Sequence, residues 1–281
     1  MHKSIMEIIR DTEINYADEM MRIELIFSTV KIVEHWRTSR SGLPETTWMS
    51  IQDYIHDFLF VNYKYSGTYI SIRDMRNGLN ISKEDIKKNN KETMLTYFEF
   101  ILNMVFFFTE NKFRTDRYDS SYINKLISNI NKVLEKINYE VIAKNNYLFI
   151  IENDAGTSAV AELYPDLSNS VIEYRRHDLK GNIEAKRNIL QTLQLKIEGI
   201  ELKLRGSSYQ SLSKNLMNLF NNLHIRHNNK GENPRNNKIN MSDEELEIWY
   251  DRTYDLTLTA LMICNYLDYH KEIEKLYEHY E

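Results

Sequence analysis

The sequence predicts a mainly α protein, helical bundles with one small β-hairpin at about residues 139–152. Three observations carry that reading. Eight Gly and three Pro in 281 residues are few, which argues against a chain of many tight turns. Apolar residues recur at three- and four-residue spacing along most of the length. Only one stretch combines β-rich runs with a turn suited to a hairpin.

Residues 4–38 read as one amphipathic helix or two, with Ile5, Ile8, Ile9, Met20, Ile23, Ile26, Phe27, Val30 and Val33 near helical spacing. Ser39 to Pro44 breaks the pattern. Thr47 to Val61 predicts a second helix, with Trp48, Ile51, Ile55 and Phe58 on one side. The run GTYISIRD that follows allows a short strand at Tyr69 to Ile72. Another helix opens at Ser82 and continues to about Thr109, and a further one spans Tyr122 to Ile137.

Tyr139 to Ala143 and Tyr147 to Glu152 are the β-rich runs. Asn in the connection tolerates the positive φ that a tight hairpin turn demands. Two strands alone are marginally stable, so the hairpin must lie against helices or recruit residues 69–72. From Ala159 the chain becomes helical again. Asn182 to Leu204 is the longest periodic stretch, ended by Gly206, and Tyr209 to Ile225 is a shorter apolar helix. The last helix opens on a capping box, in which Ser242 and Glu245 satisfy each other's backbone N–H. The organisation expected is a helical domain over 1–138, the hairpin and its connection over 139–158, and a second helical domain over 159–281.

Composition excludes several classes. Hydrophobic residues make up 42% and charged residues 27%, ordinary values for a globular protein. The formal charge of −5 gives no global nucleic-acid signature, so any such binding must be local. The single cysteine, Cys264, has no partner for a disulfide within the chain and reads as a small core residue. The N-terminal residues include acidic ones and no unbroken apolar region, so no signal peptide is expected there. Phe98 to Phe108 is apolar but falls short of the roughly 20 residues that span a bilayer. The expectation is a cytoplasmic protein with no membrane association. Metal-ligand spacings, glycine-rich phosphate loops and nucleophile elbows are all missing from the sequence, so no metal and no cofactor are expected.

Chemistry concentrates between His224 and Asn240. This stretch sets His224, Arg226, His227, Lys230, Arg235 and Lys238 against a single glutamate, among six asparagines that include Asn228 and Asn229. Two readings stand. Arg226 can clamp a phosphate while His224 and His227 serve as base and acid for RNA cleavage. Alternatively, basic residues at a helix C-terminus complement its dipole, and asparagines simply make the turn. Arg175 and Arg176, on a predicted helix, form either a salt-bridged face or an addition to the same RNA surface.

The arrangement LFNNLHIRHNN, a loop, and then DEELEIWYDRTYDLTLTALMI resembles the C-terminal helices of HEPN proteins (higher eukaryotes and prokaryotes nucleotide-binding). In particular it is similar to the HEPN-like domains of bacterial abortive-infection, phage-defence proteins, and the likeness covers roughly Ala159 to the end. The resemblance implies a homodimer acting on RNA, tRNA included, through metal-independent cleavage by an Arg and a His a few residues beyond it. Arg226 matches the Arg, and His227 the polar residue after it. The distal His is missing from the window His227 to Asn233, so the resemblance leaves its role to His227 itself or to the partner's His224. The RNA contacts it implies are Asn228, Asn229, Lys230, Arg235 and Lys238, with Arg175 and Arg176 nearby. The alternative is a non-enzymatic helical module that binds a partner or nucleic acid.

Overall fold

The structure, a computed structural model, describes residues 14–39, 41–226 and 241–278. The chain is mainly α and divides into two units, residues 1–150 and 151–281.

In the N-terminal unit the first described helix, α1 (Tyr16–Glu24), starts at Asn15, whose side chain accepts from the Asp18 N–H at 3.2 Å. It runs into a wide π turn, Leu25–Thr29, closed by the Val30 N–H on the Leu25 carbonyl. That turn keeps Ile26 and Phe27 in the core beside Met20 and Ile23. Helical spacing predicted that this helix would continue to residue 38, and there the structure differs. Val33–Thr38 is a strand, β1, paired antiparallel with β2 (Pro44–Met49). Gly42, at φ +80°, lies in their connection, and β3 (Arg117–Tyr118) pairs with the other edge of β1. The segment is rich in β-branched and aromatic residues of low helix propensity, and cross-strand pairs such as Trp36 with Thr46 reward the extended form. Trp36 and Trp48 both remain largely exposed.

The helix predicted over 47–61 is correspondingly shorter. It comprises α2 (Ile51–Tyr54), capped by the Ser50 hydroxyl, and a π turn over Ile55–Leu59. Residues 69–72 form no strand. Ser71 instead caps α3 (Ile72–Gly78) by accepting from the Asp74 N–H. The helix expected from Ser82 begins later: Ser82 and Asp85 bond each other in a short 3₁₀ turn, and Asn90 caps α4 (Lys91–Asn111). This helix carries the Phe98–Phe108 run and is buried on most sides, including Tyr97, Phe98, Ile101, Met104, Val105 and Phe108. Among the described residues no helix is long and apolar enough to cross a membrane. α5 (Ser120–Lys136) follows, burying Ile123, Leu126, Ile130 and Leu134 at helical spacing.

The predicted hairpin is present as β4 (Tyr139–Lys144) and β5 (Tyr147–Glu152). Asn145 and Asn146 take φ of 53° and 62°, the two successive positive values of a type I′ turn. Among the described residues no third strand joins it, beyond a single antiparallel bridge from Ile151 to Arg176. The α4 side chains serve β5 instead: Asn103 exchanges two bonds with the Leu148 backbone at 2.8 and 2.9 Å, and Glu99 accepts from the Ile150 N–H at 2.8 Å. Two polar residues on a buried helix are thereby explained, since an unpaired strand edge facing a core is costly.

The C-terminal unit is helical. Asp154 caps α6 (Ala155–Leu163), Pro165 lies in the break before α7 (Ser168–Tyr174), and Asn182 caps α8 (Ile183–Arg205), which stops at Gly206. α9 (Gln210–Asn222) packs on α8 and on α10 (Asp243–Glu278), and α6 and α8 also lie against α10. The capping box is formed as predicted: the Glu245 N–H donates to Ser242 Oγ at 3.3 Å, and Glu245 Oε2 accepts from the Ser242 N–H at 3.0 Å. The core gathers Leu190, Leu193, Ile197, Phe220, Tyr250, Tyr254 and Leu261, together with the predicted Cys264. Trp249 is partly buried against it, with the Arg252 guanidinium 4.9 Å from its ring.

Candidate functional site

The end of α9 is built from its buried residues outward. Leu223 and Ile225 are both buried in the core, and the Tyr250 hydroxyl donates to the Leu223 carbonyl at 3.1 Å. Between those anchors His224 takes φ +59°, the left-handed region that closes many helices. The Arg226 N–H turns back to the Phe220 carbonyl at 3.0 Å, satisfying a helix-end acceptor. The apolar anchors thus fix where the basic stretch begins. His227, Asn228, Asn229, Lys230, Arg235 and Lys238 lie outside the described residues.

The Arg226 side chain is 40% exposed and pairs with Glu198 of α8 at 3.1 Å. It stands on a groove of about 390 Å³ between α8 and α9, lined also by Glu201, Arg205, Lys214 and Asn221. Arg205 pairs with Glu201 at 2.7 Å, but the alignment is poor enough that Glu201 Oε1 accepts no hydrogen bond. Lys214 has no ion-pair partner among the described residues. Among the described residues the groove therefore offers one uncommitted cation, amide donors, and two arginines whose carboxylate partners an incoming anion would have to displace.

Arg175 and Arg176 are not part of that groove. Arg175, 17% exposed, donates to Asp255 at 2.7 Å, approaches Asp154 at 3.4 Å and Glu152 at 3.8 Å, and covers the Tyr254 ring. Beneath it Tyr254 stacks on Tyr174 with centroids 4.1 Å apart. Arg176 forms a two-pronged pair with Asp178, its Nε at 2.9 Å. Both guanidinium groups are thus turned to carboxylates of the same unit, the salt-bridged alternative of the two readings. Lys186 behaves similarly, bridging Glu247 at 2.8 Å and Asp251 at 2.7 Å.

The N-terminal unit holds a pairing that sequence reasoning missed. Asp116, its side chain fully buried, accepts from the Tyr54 hydroxyl at 2.6 Å, His35 Nδ1 at 2.8 Å and the Trp36 N–H at 3.1 Å. Burial raises its carboxyl, yet the Tyr54 and His35 hydrogen bonds outweigh this and hold it below the usual carboxylate range. Burial pushes the Tyr54 hydroxyl well above its ordinary value. An aspartate orienting a histidine is a general-base arrangement where a substrate can reach the other ring nitrogen. Here the ring is packed among Phe58, Tyr54 and Phe113, with the Phe58 centroid 4.3 Å away, and Asp116 is its one polar partner among the described residues. The group works as a tie between β1, α2 and the turn before β3. Asp116 lies 62 to 81 residues from these partners, so no local motif announces the group.

Among the described residues no group of three or more His, Cys, Asp or Glu side chains is placed to hold a metal ion. No family model, curated protein or solved structure matches the chain.

Proposed function

We propose that the C-terminal unit acts on RNA through the groove between α8 and α9, as its resemblance to the HEPN-like domains of abortive-infection proteins implies. The observation that supports this most is the presentation of Arg226. It is exposed, anchored by the buried Ile225 beside it, and shares the groove's lining with Lys214 and Asn221. In this reading Arg226 holds the phosphate, and a second copy supplies the facing surface. Cleavage uses His227 or the partner's His224.

A second reading rests on its own observation. His224 and the Arg226 N–H close α9, and Arg226, Arg175 and Arg176 each have an intramolecular carboxylate. That pattern favours a non-enzymatic helical module. Incubation of the purified chain with tRNA and total RNA in EDTA separates the two. Cleavage abolished by Arg226→Ala in a folded protein supports the enzyme, and binding without cleavage supports a nucleic-acid-binding module. Intact and unbound RNA leaves the interaction module.

A further inference from the structure

We propose that the N-terminal unit carries a binding site for a phosphorylated polar small molecule of the sugar phosphate class, in the cavity next to Arg76. The cavity measures about 600 Å³, within the range of small-ligand pockets. Arg76 and Ile72, both buried, form its floor, while Arg73, Asn77 and Lys83 are exposed at its rim. Gln52 and Ser82 add polar atoms to the lining.

Arg76 is 4% exposed, and its donors are unevenly used. Nε donates to the Ile81 carbonyl at 3.1 Å, and Nη1 to Glu24 at 3.0 Å and Gln52 at 3.2 Å. Nη2 is buried with no partner. A buried guanidinium nitrogen without an acceptor is costly, and structures retain such groups where something else completes them.

The surrounding charge points the same way. Glu24 is fully engaged, one oxygen by Arg76 and the other by the Tyr97 hydroxyl at 2.7 Å. Burial raises its carboxyl, but Arg76 outweighs that and holds it below the usual range. Glu84 is drawn to Lys87 at 3.0 Å, and Asp85 to Lys88 at 2.7 Å and to Ser82. Arg73 and Lys83 have no ion-pair partner among the described residues. The lining also holds the Glu84 carboxylate, which turns to Lys87. Against it stand Arg73 and Lys83, without an ion-pair partner among the described residues, over an incompletely paired arginine. That balance suits a phosphate dianion, which takes several donors at once. Among the described residues Ile72 is the only apolar one in the lining and no aromatic ring lines the cavity, so none of them stacks on a base. That selects a hydroxyl-rich phosphate ester over a ligand recognised through its base.

Calorimetric titration of the full chain with ribose 5-phosphate, ribose and AMP tests the site. Saturable one-to-one binding of ribose 5-phosphate is expected, with ribose silent. The double substitution Arg73→Gln, Lys83→Gln should weaken binding about tenfold or more. Both side chains are exposed, so the melting temperature without ligand should not move. Absence of saturable ribose 5-phosphate binding, binding that the double variant leaves unchanged, or binding of AMP alone would each overturn the proposal. These residues lie in the N-terminal unit, so the result stands apart from the RNA test on Arg226.

Discussion

Asp116 in the N-terminal unit and Arg175 in the C-terminal unit each gather several partners of opposite polarity, under different conditions. The Asp116 carboxylate is fully buried, and its closer donors, Tyr54, His35 and Trp36, come from β1 and α2, with the Thr115 hydroxyl a longer fourth at 3.5 Å. Arg175 is itself largely covered, but Asp255 and Glu152 beside it are 59% and 48% exposed. Water can replace any one of those carboxylates, and the remaining ones stay in reach. The number of ion pairs says little about their strength, while the solvation of their members says much.

Substitutions at the two sites put the contrast to the test. Asp116→Ala should cost the most, about 3 kcal/mol or more, by stranding the Tyr54, His35 and Trp36 donors around a fully buried carboxylate position. Urea denaturation measures it, and a loss below about 1 kcal/mol would mean water reaches the site. Tyr54→Phe removes one donor to Asp116 and the acceptor of the Phe113 N–H, so a loss of about 1.5 kcal/mol is expected. Asp255→Asn should stay within about 0.5 kcal/mol, as for an exposed side chain. A loss of 2 kcal/mol or so there would erase the contrast.

Acid separates the two sites by sign. The Asp116 carboxyl is lowered by folding, so its contribution is present above the unfolded value of about 3.9 and disappears as pH falls through the folded value. Asp255 is raised by burial, with Arg175 opposing and Asp154 and Asp251 adding to the rise. Its contribution is therefore present below the unfolded value and lost as pH rises through the folded one. The stability gap between wild type and Asp116→Asn should close on acidification. The gap for Asp255→Asn should be smaller and have the opposite slope. Parallel slopes in a pH series of urea melts would refute the assignment.

Legibility in the sequence followed the range of the interactions. Asn145-Asn146 and the Ser242–Glu245 box act over two or three residues, and both were readable from sequence alone. β1 and β2 were not, because Val33 and Trp48 also fit a helical period and only their pairing across the sheet decides. Arg226 was legible as an exposed cation after an apolar helix. Its partner Glu198 was not, since it stands on another helix. Asp116 and Arg76 stayed hidden because their partners Tyr54 and Glu24 lie 62 and 52 residues distant.

The placement of the tryptophans has an optical consequence. Trp36 and Trp48 sit on the strands of the N-terminal unit, and Trp249 on the last helix of the C-terminal unit. Trp249→Phe leaves a chain whose indole emission comes from the first unit alone, and the double change Trp36→Phe, Trp48→Phe leaves a reporter for the second. The effect of Asp116→Ala can therefore be watched in one unit's emission and that of Asp255→Asn in the other's, with no label added to the protein.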